Sequence, residues 1–193
     1  MNVLIFNGPA ESGKGTVAEY LRQLFNFEVA EYSSIDYVKT VAKDHFGWDG
    51  NKDVAGRNLL AAIKQAMIAY NDLPTKKVIV AIEEAIMFTV DILVVDIREP
   101  DEIEKLVEHC KKEELTCHTC RIINTAAENE AEVSGLSLTG DRLYGEYDYD
   151  VNLDNNGSLF DLESEVNKVF SALYNLQEVG HVEDALRYLE ENR

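Results

Sequence analysis

Short apolar runs alternate with amphipathic stretches along this chain. Val3-Leu4-Ile5-Phe6 is an unbroken apolar run, the form a strand takes when both faces of a parallel sheet are covered. From Lys14 to Phe25, the residues Val17, Leu21, Leu24 and Phe25 return at helical spacing. Phe27 to Tyr32 reads as a second strand. Ser33 or Ser34 is placed to cap the next helix, with Asp36 in its first turn, Tyr37, Val38, Val41 and Ala42 inward, and an end near Gly47. Gly47 to Asn51 is turn chemistry. Val54 to Tyr70 predicts a helix that buries Leu60, Ile63, Met67 and Tyr70, and Pro74 suits the first turn of another. Val78 to Ile82 has enough β-branching for a strand. Ile79, Ile82, Ala85 and Ile86 keep helical spacing, however, so helix is the preferred reading.

Ile92 to Val95 is again a buried strand, ending at Asp96. Pro100 opens a helix lined by Ile103, Leu106, Val107 and Cys110, and a strand follows at Thr116 to Ile123. From Asn124 to Glu146 the periodicity dissolves; a stretch of that length in a compact domain tends to be functional or mobile. Asp148 to Leu153 reads as the last strand and Asp154 to Gly157 as a turn. Ser158 and Asp161 make a near match to a capping box before a helix bearing Val166, Val169, Phe170 and Leu173. Gly180 separates a terminal helix on which Val182, Leu186 and Leu189 align. Five strand–helix units predict an α/β fold with a mostly parallel, five-stranded sheet in a single domain spanning 1–193. Ligands of such sheets bind beyond the carboxyl ends of the strands. The loop after the first strand, Asp96 to Arg98 and the 154–157 turn are thereby expected on one rim.

Composition sharpens this picture. At 193 residues, 46% hydrophobic and 28% charged, the chain is long enough for a real core. A formal charge of −18 argues against a polymeric nucleic acid as partner. Any phosphate site must be locally basic against that field, which makes the arginines (Arg22, Arg57, Arg98, Arg121, Arg142, Arg187 and Arg193) informative. No apolar run is long enough to cross a bilayer, and the amino terminus has no signal-peptide shape, so a cytoplasmic location is expected. The 3 cysteines do not suggest a disulfide framework. Cys117, His118 and Cys120, near His109 and Cys110, superficially resemble a metal cluster. No second pair lies at a finger-like spacing, and in a strand these thiols read as small hydrophobes.

The chemistry concentrates after the first strand. Gly8, four residues, then Gly13, Lys14, Gly15 and Thr16 before a helix form the context of a phosphate-cradling loop. Glycines let backbone N–H groups turn toward phosphate oxygens, the helix adds its unpaired amides, and Lys14 adds a mobile charge. The same residues also admit a plain glycine turn with an exposed lysine.

Gly8-Pro9-Ala10-Glu11-Ser12-Gly13-Lys14-Gly15-Thr16 resembles the GxxxxGKGT loop of the adenylate-kinase-like nucleoside monophosphate kinases. FGWDGNKDVAGRNLL at 46–60, VVDIREPDEIEKL at 94–106 and YDVNLDNNGSLFDLESEV at 149–166 resemble, more narrowly, the deoxynucleoside monophosphate kinases of phages and their bacterial relatives. That resemblance implies a P-loop three-layer sandwich with a helical acceptor-binding region about 33–73 and a small lid about 124–147. It implies transfer of the γ-phosphoryl group of ATP, with Mg²⁺, to a (deoxy)nucleoside monophosphate. Gly8, Ser12, Gly13, Lys14, Gly15 and Thr16 would bind ATP, the last four at its β- and γ-phosphates. Asp96 would organise Mg²⁺ through water, and Arg98 would grip the acceptor phosphate, with Lys39 and Arg57 as further contacts. Arg142, with Arg121, would come from the lid; Asn155 to Gly157 would pack on the donor base; Asp36 would position the acceptor sugar or base.

Each role has a plainer counterpart. Asp96 also reads as a turn cap, Arg98 as a partner of Glu99 or Glu102, and Asp36 as a first-turn charge. Lys39 and Arg57 also read as solvated helix-face residues, and Arg142 as a partner of Asp141, Glu146 or Asp148. The lid stretch is acidic and carries one clear arginine, where related kinases often carry more. Kinases acting on dephospho-coenzyme A or phosphomevalonate, and a nucleotide-binding regulatory module with little turnover, are the alternative readings. An Asn-Lys-x-Asp guanine motif does not occur. Base, sugar and oligomeric state are left open by the sequence.

Overall fold

The computed structural model describes residues 1–133, 145 and 147–177. Five strands, β1 (Asn2–Asn7), β2 (Val29–Ser33), β3 (Ile92–Asp96), β4 (Thr116–Ile123) and β5 (Val151–Asp154), form one sheet in the order β2-β3-β1-β4-β5. Every neighbouring pair is parallel. The helices are α1 (Lys14–Phe25), α2 (Asp36–Phe46), α3 (Val54–Asn71), α4 (Leu73–Met87), α5 (Pro100–Lys112), α6 (Thr125–Val133) and α7 (Leu159–Gln177).

The first apolar run became the central strand because alternate residues each find a cover. Leu4 and Phe6 pack with Val17 and Leu21 of α1 and with Val166 and Phe170 of α7. Val3 and Ile5 pack on the opposite face with Ile82 of α4 and with Ile103 and Leu106 of α5. Each side chain so buried contributes roughly 1.5–3 kcal/mol. Helix, sheet and helix therefore make three layers. A small separate core of Val38, Ala42, Leu60 and Ile63 joins α2 to α3, so the helical region carries its own apolar contact. The Val78 to Ile82 run lies inside α4, with Pro74 in its first turn. No described helix is long and apolar enough to cross a membrane.

Several local expectations are corrected. Neither Ser33 nor Ser34 caps α2; Ile35 holds that position, and the Asp36 carboxylate accepts the Ser33 N–H at 2.9 Å. Tyr70 is exposed, because the small α2–α3 core reaches only as far as Met67 along α3. Phe27 precedes β2 and stacks on Phe25 and Tyr174 instead. Residues 125–133 form α6, although Ala127 alone is buried among 125–131. Ala and Glu favour helix without leaving an apolar stripe to read, and Asn124 accepts the Ala127 N–H at 3.0 Å as a cap. β5 starts at Val151, since Asp150 turns to accept the N–H and hydroxyl of Thr119. Ser158 and Asp161 do form the reciprocal cap: the Ser158 hydroxyl donates to Asp161 at 2.7 Å and accepts the Asp161 N–H at 3.3 Å. Cys120 packs on the α1–α7 side of β4 and Cys117 on the α4–α5 side, so the two thiols diverge. Arg142 and the terminal stretch bearing Gly180, Val182, Leu186 and Leu189 lie outside the described residues.

Candidate active site at the carboxyl rim of the sheet

Between β1 and α1 the chain reverses through two glycines in left-handed backbone. Gly8 has φ 143°, and a Cβ there would meet the Ser12 hydroxyl at 2.6 Å and the Ile122 carbonyl at 2.7 Å. Gly13 has φ 105°, and a Cβ there would run into the Asn155 side-chain amide. That amide donates to the Ser12 carbonyl at 2.8 Å, tying the turn after β5 onto the loop. Ser12 is fully buried, and its hydroxyl has no hydrogen-bond partner among the described residues. Around Gly15, by contrast, a Cβ would find open space.

The loop aims Lys14 back across its own mouth. The ammonium donates to the carbonyls of Gly8 and Pro9, both at 2.7 Å, and stands 4.0 Å from Oδ1 of Asp96. This carboxylate oxygen is buried and accepts no hydrogen bond from the described residues. Desolvating an anionic oxygen without a donor is costly, so the position favours a nearby cation or a bound water. Asp96 reaches the rim because β3 pairs with β1 in a register that sets Asp96 against Phe6.

Arg98 follows two residues later and is half-buried. Its carbonyl accepts from the Asn7 side-chain amide at 3.2 Å; the same amide donates to the Tyr149 hydroxyl at 2.7 Å, and the Asn7 side-chain oxygen takes the Gly8 N–H. Asn7 is fully buried. One side chain thus ties the loop, the Arg98 backbone and the segment entering β5. Burial pushes the Tyr149 hydroxyl up to about 12, so it serves this junction as a neutral group.

The remaining sequence-nominated residues are distributed unevenly. Lys39 is paired with Asp36 at 2.7 Å, one strand away from Asp96: Ser33, whose N–H Asp36 accepts, is in register with Asp96. Arg57 donates to the Lys52 carbonyl at 2.8 Å, in the loop before its own helix, and no described hydrogen bond carries it to Lys14 or Asp96. Arg121, level with Asn7 in the sheet, pairs with Glu128 of α6 at 2.8 Å. Asn155 and Gly157 sit in the turn against the loop; Gly157 is fitted over Asp161, whose carboxylate a Cβ would meet at 2.7 Å. The structure therefore assembles the loop, Lys14, Asp96, the Arg98 backbone and Asn155, and leaves Arg57 apart.

Two groups escaped the sequence reading. Asn7 had one available signal, a polar residue ending an apolar strand directly before the glycine loop. Lys64 of α3 had none. Only 7% exposed, it donates to Glu99 at 2.5 Å, to Glu102 at 3.0 Å and to the Ser34 hydroxyl at 3.4 Å. Burial, helped by Glu99 and opposed by Lys64, pushes the Glu102 carboxyl up to about 7. Glu99 and Glu102, which the sequence offered as partners for Arg98, are thus engaged by Lys64.

No protein-family model matches the chain, and no curated protein matches it. Solved structures do. The tunicamycin resistance protein of Deinococcus radiodurans is 13% identical over 89% of this chain and 96% of that one, with a TM-score of 0.54. TT1252 from Thermus thermophilus is 17% identical, covering 90% and 97%, with a TM-score of 0.49. Shikimate kinase from Aquifex aeolicus is 13% identical, covering 94% and 100%, with a TM-score of 0.46. At 13% identity the first of these likenesses speaks to architecture alone, and that architecture is a five-stranded all-parallel sheet between helices.

Proposed function

We propose that this chain is an ATP-dependent phosphotransferase of the nucleoside monophosphate kinase type, passing the γ-phosphoryl group of ATP to a (deoxy)nucleoside monophosphate. The observation that carries the reading is the Lys14 ammonium, braced by two loop carbonyls beside the buried, unbonded Oδ1 of Asp96. Phosphoryl transfer needs little covalent help; it needs two substrates aligned and the charge on the transferring oxygens neutralised. The loop amides and Lys14 would hold the donor phosphates, and the glycines at 8 and 13 let the loop pack on Ser12, Ile122 and Asn155 without a Cβ in the way. Asn155 donates to the Ser12 carbonyl, which supports a role for the 155–157 turn beside the donor base.

Mg²⁺ suits the residues present. The buried carboxylate oxygen of Asp96 lacks a donor, the Ser12 hydroxyl lacks a partner, and both are hard oxygen ligands. Asp96, directly or through water, with the hydroxyls of Ser12 and Thr16, would hold the ion. When bound it would supply charge neutralisation to the donor phosphates. Arg98 would present a planar fork of donors to the acceptor phosphate, its backbone set by Asn7. Asp36, which opens α2, would face the acceptor sugar or base, and Lys39, one turn on, its phosphate. Arg142 belongs to the proposed lid at about 124–147, with Arg121 near its root.

The test is ADP release from MgATP across a panel of ribo- and deoxynucleoside monophosphates, with dephospho-coenzyme A and phosphomevalonate as competing acceptors. Turnover that depends on one monophosphate is the expected result. ADP release that no acceptor stimulates overturns the proposal, and ATP binding without turnover would mark a regulatory module instead.

A further inference from the structure

We propose that Lys64 is a positioning residue for the acceptor site: its buried ammonium fastens the middle of α3 to the segment from Asp96 to Glu102, so that α3 and Arg98 are held as one body. This rests on the reading of Arg98 and the α2–α3 region as the acceptor site. The ammonium has three protons and three acceptors, and each acceptor belongs to a place that matters for Arg98. Glu99 is its neighbour in the chain, Glu102 sits in the first turn of α5, and Ser34 stands at the exit from β2. Ser34 in turn donates its N–H to the Asp96 carbonyl at 3.1 Å. A closed ring results, running from α3 through Lys64 and Ser34 to Asp96, along the chain past Arg98 to Glu99, and back to Lys64.

Apolar side chains in place of both Lys64 and Glu102 would fill this space without the cost of burying two ionisable groups, since a buried ion pair is rarely the most stable filling. Geometry is what it adds. One ammonium faces two carboxylates, and Oε1 of Glu102 is buried without a partner. The charged groups facing Glu102 are Lys64 from α3, Glu99 before α5, and Lys105, which is itself paired with Asp72 at 2.8 Å. The Lys105–Asp72 pair also joins α5 to the end of α3, but on the exposed side. It provides an internal control.

The experiment is steady-state kinetics on the full chain, varying ATP and the acceptor separately, for Lys64→Gln, Glu99→Gln, Lys64→Arg and Lys105→Ala. Expected are an acceptor KM raised at least about tenfold by Lys64→Gln and several-fold by Glu99→Gln, with the ATP KM within about twofold. Lys64→Arg should recover most of the loss, and Lys105→Ala should behave as the parent. An unchanged acceptor KM, or equal changes in both KM values, in variants with the parent circular dichroism spectrum overturns the inference. If Lys64→Gln does not fold, Glu99→Gln alone decides, because it removes the charge from the bond to Lys64 at a half-buried position that tolerates an isosteric amide. A parent protein that turns over no acceptor sinks the proposed function and this inference with it; a parent that turns over normally, beside unaffected variants, sinks the inference alone.

Discussion

Replacing Glu102 by Gln should change how stability responds to pH. Glu102 is 4% exposed, and its carboxyl is pushed from the ordinary 4.5 up to about 7, chiefly by burial. The folded chain therefore holds this proton more tightly than the unfolded chain does. Stability from this group is fully present below pH about 4.5 and drains away as pH rises through about 7. The gap between those two values corresponds to at most about 3 kcal/mol, at ~1.4 kcal/mol per unit. The slope cannot exceed one proton, or ~1.4 kcal/mol per pH unit. A glutamine amide at this position would be isosteric, would still accept from Lys64, and would not titrate. Urea unfolding of both proteins at pH 5, 6, 7 and 8 isolates the effect of the Glu102 cluster, because groups not coupled to it cancel in the difference. The parent should lose up to about 3 kcal/mol relative to Glu102→Gln between pH 5 and 8. Parallel curves would refute the reasoning: they would mean that Lys64 keeps Glu102 ionised throughout.

Other outcomes follow from the same geometry. Lys14→Met should lower turnover by at least about 10²-fold while leaving the circular dichroism spectrum unchanged, since the ammonium bonds two carbonyls at the loop mouth rather than core groups. Gly13→Ala, at φ 105° and against Asn155, should cost roughly 1–3 kcal/mol in chemical denaturation. Gly56→Ala should also destabilise, by about 1–3 kcal/mol, although Ala is the better helix former. Its Cβ would strike the Asn51 carbonyl and come 2.8 Å from the Trp48 ring nitrogen. Ser158→Ala should lose about 1 kcal/mol in the same assay by opening the cap of α7.

Lys14, Asp96 and Asn155 were legible in the sequence because topology does the assembling: parallel strands end on a common rim, whatever lies between them. The Gly8–Thr16 loop advertises itself through local backbone demands. The Lys64 cluster has no such signature. A lysine in an amphipathic helix reads as solvated, and Glu102 reads as a favourable first-turn acid of α5. Only the tertiary approach of α3 to α5 turns three surface-like residues into a buried group. The same limit explains Ser34, which looked like a helix cap and instead bonds Asp96 and Lys64. α6 was missed for the opposite reason, because Ala-Ala-Glu-Asn-Glu-Ala has good local propensity and no large apolar residue to mark a face.

The middle strand of the sheet is the earliest of the five to be synthesised. β1 is flanked by β3 and β4, whose first paired residues, Ile92 and Thr116, follow Asn2 by about 90 and 114 positions. At ~5–20 residues per second on the ribosome, both neighbours arrive roughly 5 to 25 s after β1. For that interval Val3 to Phe6 has no sheet partner on either side and is a ready template for aggregation. Chains truncated before Thr116 should accumulate as insoluble protein, and translation speed over the first hundred or so codons should govern the yield of native material.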